Sequence, residues 1–204
     1  KLAGIGCVDQ TQPVVGLCGL LLTSCRKRLP EGLLGPFQVP GLQATMAEFQ
    51  PKTGTFKHFV HNPSDSESIG GNIVKAIMED HEGKIWIGTD QFGLSVLNPA
   101  TETFSHFPGV PLASSTTVWT ICEDDSGNIW YGTFLNGLVR YDRRTGTFTN
   151  YLHDPSTPKS LSHNDVRSLY IDSQRTFWVG TYGGGLNQFD PSSGRFTALT
   201  TENG

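Results

Sequence analysis

The chain has 204 residues, a formal net charge of −4 and only 17% charged residues. This composition argues against a nucleic-acid-binding surface, because such a surface needs clustered Lys and Arg side chains. The 24 glycines and 12 prolines are typical of an all-β chain with many turns.

Residues 1–45 do not carry the pattern that repeats through the rest of the chain, and three interpretations remain open. They could be a diverged or out-of-frame half repeat, because their length fits the repeat spacing while their residues do not. That spacing places Gln38 where later copies have Trp. They could be a secretion leader with an apolar run over 14–22 and a lipoprotein-like box at 22–25, although the basic cluster 26–28 follows the run. They could also be a linker. The nine-residue apolar run is too short to span a membrane.

Residues 46–73 have the pattern of the second half of a repeat unit followed by a loop. Phe49 lies 48 residues before Leu97, and Phe56 lies 48 residues before Phe104. The polar end of this segment is rich in Ser, Asp and Asn, so we expect it to be a loop.

Three full copies follow, at 74–117, 118–165 and 166–204. Their tryptophans lie 44 and 48 residues apart, and each is followed by a Gly-Thr pair. A period of this length indicates a stacked or radial array. The repeated residues are Trp86, Gly88, Thr89, Trp130, Gly132, Thr133, Trp178, Gly180 and Thr181.

Each copy breaks into four short runs that are rich in Val, Ile, Trp, Phe and Tyr and are separated by Gly, Asp and Asn. Such runs are typical of β-strands, and turns such as 125–128 are typical of hairpins. One copy is therefore a four-stranded antiparallel meander, and several meanders around an axis form a β-propeller. We predict an all-β propeller fragment of about three and a half blades, in which each Trp fills the space between blades.

The repeat resembles the two-component regulator propeller repeat. Residues 160–166 (SLSHNDV) match the start of that motif, and Gly180-Thr181 with Gly184-Gly185-Leu186 matches its middle. The last copy departs from the motif, because 174–176 (QRT) replaces Asp-x-Gly. We therefore expect its first hairpin turn to differ from the others.

The resemblance implies a periplasmic sensor region at the N-terminal side of a hybrid histidine kinase, responding to oligosaccharides. The chain has no phospho-acceptor His region, no ATP-binding glycine box and no receiver domain. The resemblance thus implies that the remaining blades and the signalling domains belong to a longer parent protein. It implies neither a membrane span nor a nucleic-acid partner for this segment.

The candidate ligand-binding residues lie on the loops between the second and third strands. An aromatic ring can cover the C–H face of a sugar, and an amide can bond its hydroxyls. The alternative is that these rings pack against the next blade. The candidates are Asp90, Gln91, Phe92, Phe134, Asn136 and Tyr182.

Two other functions remain open, namely a propeller enzyme acting on polysaccharide, such as a lyase or glycosidase, and an interaction scaffold. The acidic pairs Glu79-Asp80 and Glu123-Asp124 recur with the repeat at a strand end, so we interpret them as turn residues. The histidines and cysteines show no metal-ligand spacing. The sequence predicts no catalytic residue, no cofactor and no metal.

Overall fold

The computed structural model describes residues 33–39, 42–50, 53–107 and 116–199, and all fifteen elements among them are β-strands. The leader-like run 14–22 and the cysteines at 7, 18 and 25 lie outside the described residues. The strands are β1 Leu33–Val39, β2 Leu42–Gln50, β3 Thr55–Phe59, β4 Val74–Glu79, β5 Ile85–Thr89, β6 Gly93–Asn98, β7 Thr103–His106, β8 Val118–Glu123, β9 Ile129–Thr133, β10 Leu138–Asp142, β11 Thr147–Tyr151, β12 Val166–Ile171, β13 Phe177–Thr181, β14 Gly185–Asp190 and β15 Arg195–Leu199.

The strands form four antiparallel meanders that follow chain order. Blade 1 holds β1–β3, and blades 2, 3 and 4 hold β4–β7, β8–β11 and β12–β15. The first strands of blades 2, 3 and 4 form one edge of each sheet, and β8 lies beside both β4 and β12. The sheets therefore radiate from a common inner edge, and the predicted propeller fragment of about three and a half blades is confirmed.

The buried apolar residues lie between the blades in three clusters. In the cluster between blades 3 and 4, the ring of Trp130 meets Phe177 edge-on at 5.1 Å and Phe189 at 5.3 Å. Between blades 2 and 3, the ring of Trp86 lies 6.0 Å from Tyr141 and stacks on Phe107 at 5.3 Å. Each tryptophan thus fills the space on one face of its own blade, against the blade that follows.

Two glycines of the Gly-Thr pairs allow this close packing of the inner strands. A Cβ atom on Gly88 would lie 2.8 Å from the carbonyl oxygen of Val118 in the next blade. A Cβ atom on Gly132 would lie 2.8 Å from the carbonyl oxygen of Val166. Because a backbone oxygen cannot move away without breaking its own sheet, the blades could not approach this closely with any larger residue.

Blade 4 shows what a blade looks like when only one face is covered by described residues. Its third strand alternates between exposed and buried positions, whereas the equivalent strand of blade 2 is buried at four consecutive positions. Leu186 is 41% exposed, while the equivalent Leu138 of blade 3 is fully buried. Alternation marks a half-covered strand and a continuous buried run marks a fully covered one.

The first hairpin of each full blade is organised by one aspartate. Asp124 Oδ1 accepts hydrogen bonds from the N–H groups of Ser126 and Asn128, both at 2.9 Å. Its Oδ2 accepts the indole N–H of Trp130 at 2.8 Å. Asp80 and Asp172 make the same three kinds of bond to their own turns and tryptophans. One carboxylate therefore fixes both the turn and the orientation of the buried ring.

The prediction that the last hairpin turn would differ is wrong. Arg175 has a φ of 67°, in the left-handed region where Gly83 has 80° and Gly127 has 79°. Its N–H donates to Asp172 O at 3.1 Å, as the N–H of Gly127 donates to Asp124 O at 3.0 Å. The aspartate bonds hold the same turn geometry, so Arg175 adopts a backbone conformation that glycine would adopt without strain.

We predict that Arg175→Gly stabilises the chain by about 1 kcal/mol, because it relieves the strain of a non-glycine residue at positive φ. The contact of Arg175 with Asp125 is exposed, so its loss costs little. Urea denaturation measures the change. The matched variant Gly83→Ala, whose Cβ would lie no closer than 3.9 Å to any neighbouring atom, should destabilise by about the same amount. Equal stability of the wild type, Arg175→Gly and Gly83→Ala would contradict the strain argument.

We predict that Trp130→Ala destabilises the chain by about 3–5 kcal/mol, the usual cost of truncating a fully buried aromatic side chain. Trp178→Ala should cost clearly less, because Trp178 is only partly buried on the face of blade 4 that no described residue covers. Both variants lose the same indole–aspartate bond, so their difference in denaturation free energy isolates the packing between blades. Equal losses would show that this packing contributes little.

Candidate functional site

The six candidate ligand-binding residues lie on three equivalent loops, which connect the second and third strands of blades 2, 3 and 4. These loops, 90–92, 134–136 and 182–184, form what we call the upper rim. The first hairpins, around Asp80, Asp124 and Asp172, lie at the opposite ends of the strands and form the lower rim.

The upper-rim loops have a strained backbone in two of the three blades. Gln91 has a φ of 65° and Leu135 has a φ of 63°, whereas the equivalent residue of blade 4 is Gly183, with a φ of 87°. A non-glycine residue in this region costs on the order of 1 kcal/mol or more, and such residues are concentrated at functional sites.

Each upper-rim loop presents one exposed aromatic ring. Phe92 is 59% exposed, Phe134 is 43% exposed and Tyr182 is 69% exposed. Phe92 rests on the loop that leads into its own blade, with its ring 5.6 Å from that of His61 and in contact with Gly71. The exposed fractions show that each ring is partly open to solvent, and the three rings lie on neighbouring blades.

The polar side chains of the same loops are partly used to join neighbouring blades. Asp90 Oδ1 accepts the hydroxyl hydrogen bond of Thr117 at 2.6 Å. Asn136 Nδ2 donates to Thr116 Oγ1 at 3.1 Å, and the backbone N–H of Gly93 donates to Thr116 O at 2.9 Å. Asp90 and Asn136 are thus held in fixed orientations, which favours a preorganised surface over a set of mobile side chains.

Sequence analysis missed a second set of side chains at the upper rim, contributed by the first strands. Lys75 Nζ lies 3.6 Å from Asp90 Oδ2. The guanidinium of Arg167 lies 3.9 Å from the centre of the Trp119 ring and 5.3 Å from that of Tyr182. The first strand of each full blade begins with Val, and the residue after that Val is Lys in one copy, Trp in the next and Arg in the last. This variation at one position of the repeat is the signal that could have found them.

The lower rim is held by Arg143, which reaches from blade 3 back to the hairpin of blade 2. Its Nη2 lies 2.8 Å from Asp80 Oδ2, its Nη1 lies 2.9 Å from Glu82 Oε2, and its Nε donates to Gly127 O at 3.1 Å. Burial alone would raise the pKa of Asp80, and this is the largest single effect. Hydrogen bonds from Trp86, the Lys84 N–H and Arg143 together outweigh burial and hold that pKa below its usual value.

The interpretation of the acidic pairs as turn residues is confirmed for Asp80 and Asp124, which bind turn N–H groups and indoles. Glu123 accepts a hydrogen bond from the backbone N–H of His81 at 3.0 Å and also contacts its Nδ1. These carboxylates are therefore committed to structure, and they do not form a pair facing an open cleft.

Among the residues that the structure describes, no group of three or more His, Cys, Asp or Glu side chains is placed to hold a metal ion. Within the same ranges no helix is long and apolar enough to cross a membrane.

The family model described as two component regulator propeller matches the chain three times, at residues 68–91, 112–134 and 160–183. The matches fall on the three full blades and include the Trp-x-Gly-Thr segments. The model thus matches one segment of each full blade, where the sequence pattern indicated the same repeat. No curated protein matches the chain.

Solved structures share the fold. The extracellular domain of one hybrid two-component system from B. thetaiotaomicron is 24% identical, with a TM-score of 0.63 over 88% of this chain. A second such domain from the same organism is 20% identical, with a TM-score of 0.64 over 85% of this chain. The chain spans only 25% and 26% of the lengths of these two structures.

A virginiamycin B lyase from Staphylococcus aureus also shares the fold, at 16% identity and a TM-score of 0.57, over 78% of this chain and 50% of the lyase. At these identities the likeness describes the propeller architecture alone. Extracellular domains of two-component systems and a lyase thus share the propeller fold, so the function of this chain has to be argued from its own surface.

We predict that the stability contributed by Asp80 is lost in acid. A depressed pKa means that this stabilisation is complete above the unfolded-state pKa of about 4 and disappears as the pH falls through the lower folded-state pKa. Asp80→Asn should therefore cost about 1–3 kcal/mol at pH 7 and less at about pH 3, measured by urea denaturation. The exposed Asp125→Asn is the control. A cost of Asp80→Asn that is independent of pH would contradict this account.

Proposed function

We propose that this chain is part of the extracytoplasmic, ligand-sensing propeller of a two-component regulatory system, located in the periplasm, and that its upper rim binds an oligosaccharide. The repeats and the similarity to extracellular domains of hybrid two-component systems support the sensor role. The remaining blades and the signalling domains would be supplied by the parent protein.

The observation that carries the ligand proposal is the row of exposed aromatic rings, one on each of three adjacent blades. Phe92, Phe134 and Tyr182 lie on equivalent loops, next to the oriented polar groups of Asp90 and Asn136. Because these three rings are exposed to solvent, they contribute little to the folding of the blades. Together with the neighbouring polar groups, they supply the mixture of apolar faces and hydrogen-bonding groups that saccharide recognition requires.

The upper rim supports binding better than it supports catalysis. Its acidic residue, Asp90, is already bonded to Thr117 and faces the amino group of Lys75. The lower-rim acids Asp80 and Asp124 are bonded to turns and indoles. The fold that this chain shares with a lyase is therefore no evidence that this chain catalyses a lyase reaction.

We predict that Tyr182→Ala and Phe134→Ala each weaken oligosaccharide binding by about tenfold, since the loss of an aromatic contact worth about 1.4 kcal/mol corresponds to that factor. A panel of neutral and acidic oligosaccharides, measured by isothermal titration calorimetry, provides the test. Tyr170→Ala is the matched control, because Tyr170 is 46% exposed but lies on the sheet face of blade 4. The proposal fails if no saccharide binds, or if the control weakens binding as much as the rim variants.

A further inference from the structure

The first strand of each full blade contains a β-bulge at the same place. In blade 2, Val74 and Ala76 face the consecutive residues Thr89 and Gly88, so Lys75 is one extra residue in the strand. In blade 3 the extra residue is Trp119, and in blade 4 it is Arg167. Bulges redirect a side chain out of the regular alternation of a strand and are common next to binding sites.

The three bulges direct their side chains to one place, which we call the bulge cluster (Lys75, Trp119 and Arg167). The Arg167 guanidinium lies 3.9 Å from the centre of the Trp119 ring, and Lys75 Nζ lies 5.1 Å from it. Residues from three neighbouring blades thus meet around one indole. The cluster borders the upper rim, because Arg167 also lies against Tyr182 and Lys75 faces Asp90.

Comparison of the three copies separates this cluster from the structural positions of the repeat. The residue before each bulge is Val in all three copies, and the position three after that Val is always Ile or Leu. The bulge position between them holds Lys, Trp and Arg in the three copies. A position that served only to shape the strand would not need two cations and an indole.

Cation–π stacking explains why Arg167 lies against the Trp119 ring, but it does not give the indole N–H group of Trp119 a hydrogen-bond acceptor. Trp119 Nε1 is buried and has no hydrogen-bond partner among the described residues. The three repeat tryptophans, in contrast, all donate to an aspartate. Asp165 Oδ1, on the carboxylate that binds Arg167, is a second buried atom without a partner in the described ranges. An unpaired buried donor is unfavourable, and an acceptor group of a ligand beside Trp119 Nε1 would relieve that cost.

The other groups of the cluster are also rich in donors. Arg167 Nη2 donates to Asp165 Oδ2 at 2.7 Å, which holds the guanidinium in place and uses only one of its five N–H groups. Lys75 Nζ is 3.6 Å from Asp90 Oδ2, beyond hydrogen-bond distance. Lys75, Arg167 and Trp119 thus offer several donors, and Asp90 Oδ1 is already occupied by Thr117.

We infer that the bulge cluster is an oxyanion site, which binds the carboxylate or sulfate group of an acidic saccharide whose sugar rings lie on the upper rim. This inference deepens the proposed function and rests on it for the saccharide. Lys75 and Arg167 supply charge-assisted hydrogen bonds, and the N–H groups of Arg167 that do not bind Asp165 suit a planar carboxylate. The indole N–H of Trp119 is the third donor of the site.

The test uses the whole chain with ¹⁵N-labelled tryptophan, because its four indole N–H groups give separate NMR signals. The Trp119→Phe variant identifies the signal of Trp119. The signals of Trp86, Trp130 and Trp178 report whether each variant is folded, since those indoles are bonded to aspartates. The probes are D-glucuronate, its neutral equivalent D-glucose, and inorganic sulfate, all at constant ionic strength.

We predict that glucuronate shifts the Trp119 signal in a saturable manner and that glucose does not. Lys75→Gln and Arg167→Gln should each weaken the response to glucuronate by about tenfold, the usual effect of removing one charge-assisted hydrogen bond. Lys84→Gln and Arg144→Gln remove the same charges at exposed positions on other loops and should leave the response unchanged.

The outcomes separate this inference from the proposed function. Binding of neutral oligosaccharides that depends on Tyr182, with a Trp119 signal that glucuronate and sulfate do not move, would overturn the oxyanion site and leave the sensor proposal intact. A Trp119 response to sulfate that is lost in Lys75→Gln would support the site even if every saccharide failed to bind. A glucuronate response of equal strength in wild type, Lys75→Gln and Arg167→Gln would overturn it.

Discussion

The architecture depends on the hydrogen bond between an aspartate carboxylate and an indole that recurs in every full blade. Asp80, Asp124 and Asp172 each bind the N–H groups of a tight turn with one oxygen and a tryptophan with the other. The turn fixes the pairing of the first two strands, and the indole fixes the contact with the next blade. A local turn and a long-range contact are therefore both tied to one carboxylate, which in the case of Asp80 is buried.

This arrangement explains why the core is divided into layers between blades. Within a sheet the strands are held by backbone hydrogen bonds, and the apolar side chains point to the two faces. Trp86 and Trp130 belong to the clusters between blades, and Gly88 and Gly132 allow the next inner strand to approach. Each blade is thus stabilised by its neighbours, and blade 4 retains one face with exposed side chains such as Leu186.

Much of the fold could be predicted from the sequence, because the period, the turn glycines and the apolar runs are local signals. The all-β class and the number of blades followed from them. The turn around Arg175 could not be predicted in this way, because the conformation is imposed by bonds to Asp172 that override the preference of Arg for negative φ. The propensity of one residue was outweighed by the geometry of the whole hairpin.

The candidate site was predictable only in part. The exposed rings of Phe92, Phe134 and Tyr182 could be placed on loops, since loops follow from the strand pattern. The bulge cluster could not, because contacts between blades join residues more than forty positions apart, which no local sequence pattern places together. A comparison of the copies, position by position, is the signal that would have revealed Lys75, Trp119 and Arg167.

The matching glycine contacts also bear on how such proteins arise. Gly88 contacts Val118 in the same way as Gly132 contacts Val166, so blades 2 and 3 offer the blade that follows the same packing surface. Duplication of one unit within a gene adds a blade without requiring a new interface, and deletion of a unit joins two surfaces that already fit each other. Ring size can therefore change during evolution while the residues at the inner edges diversify independently for recognition.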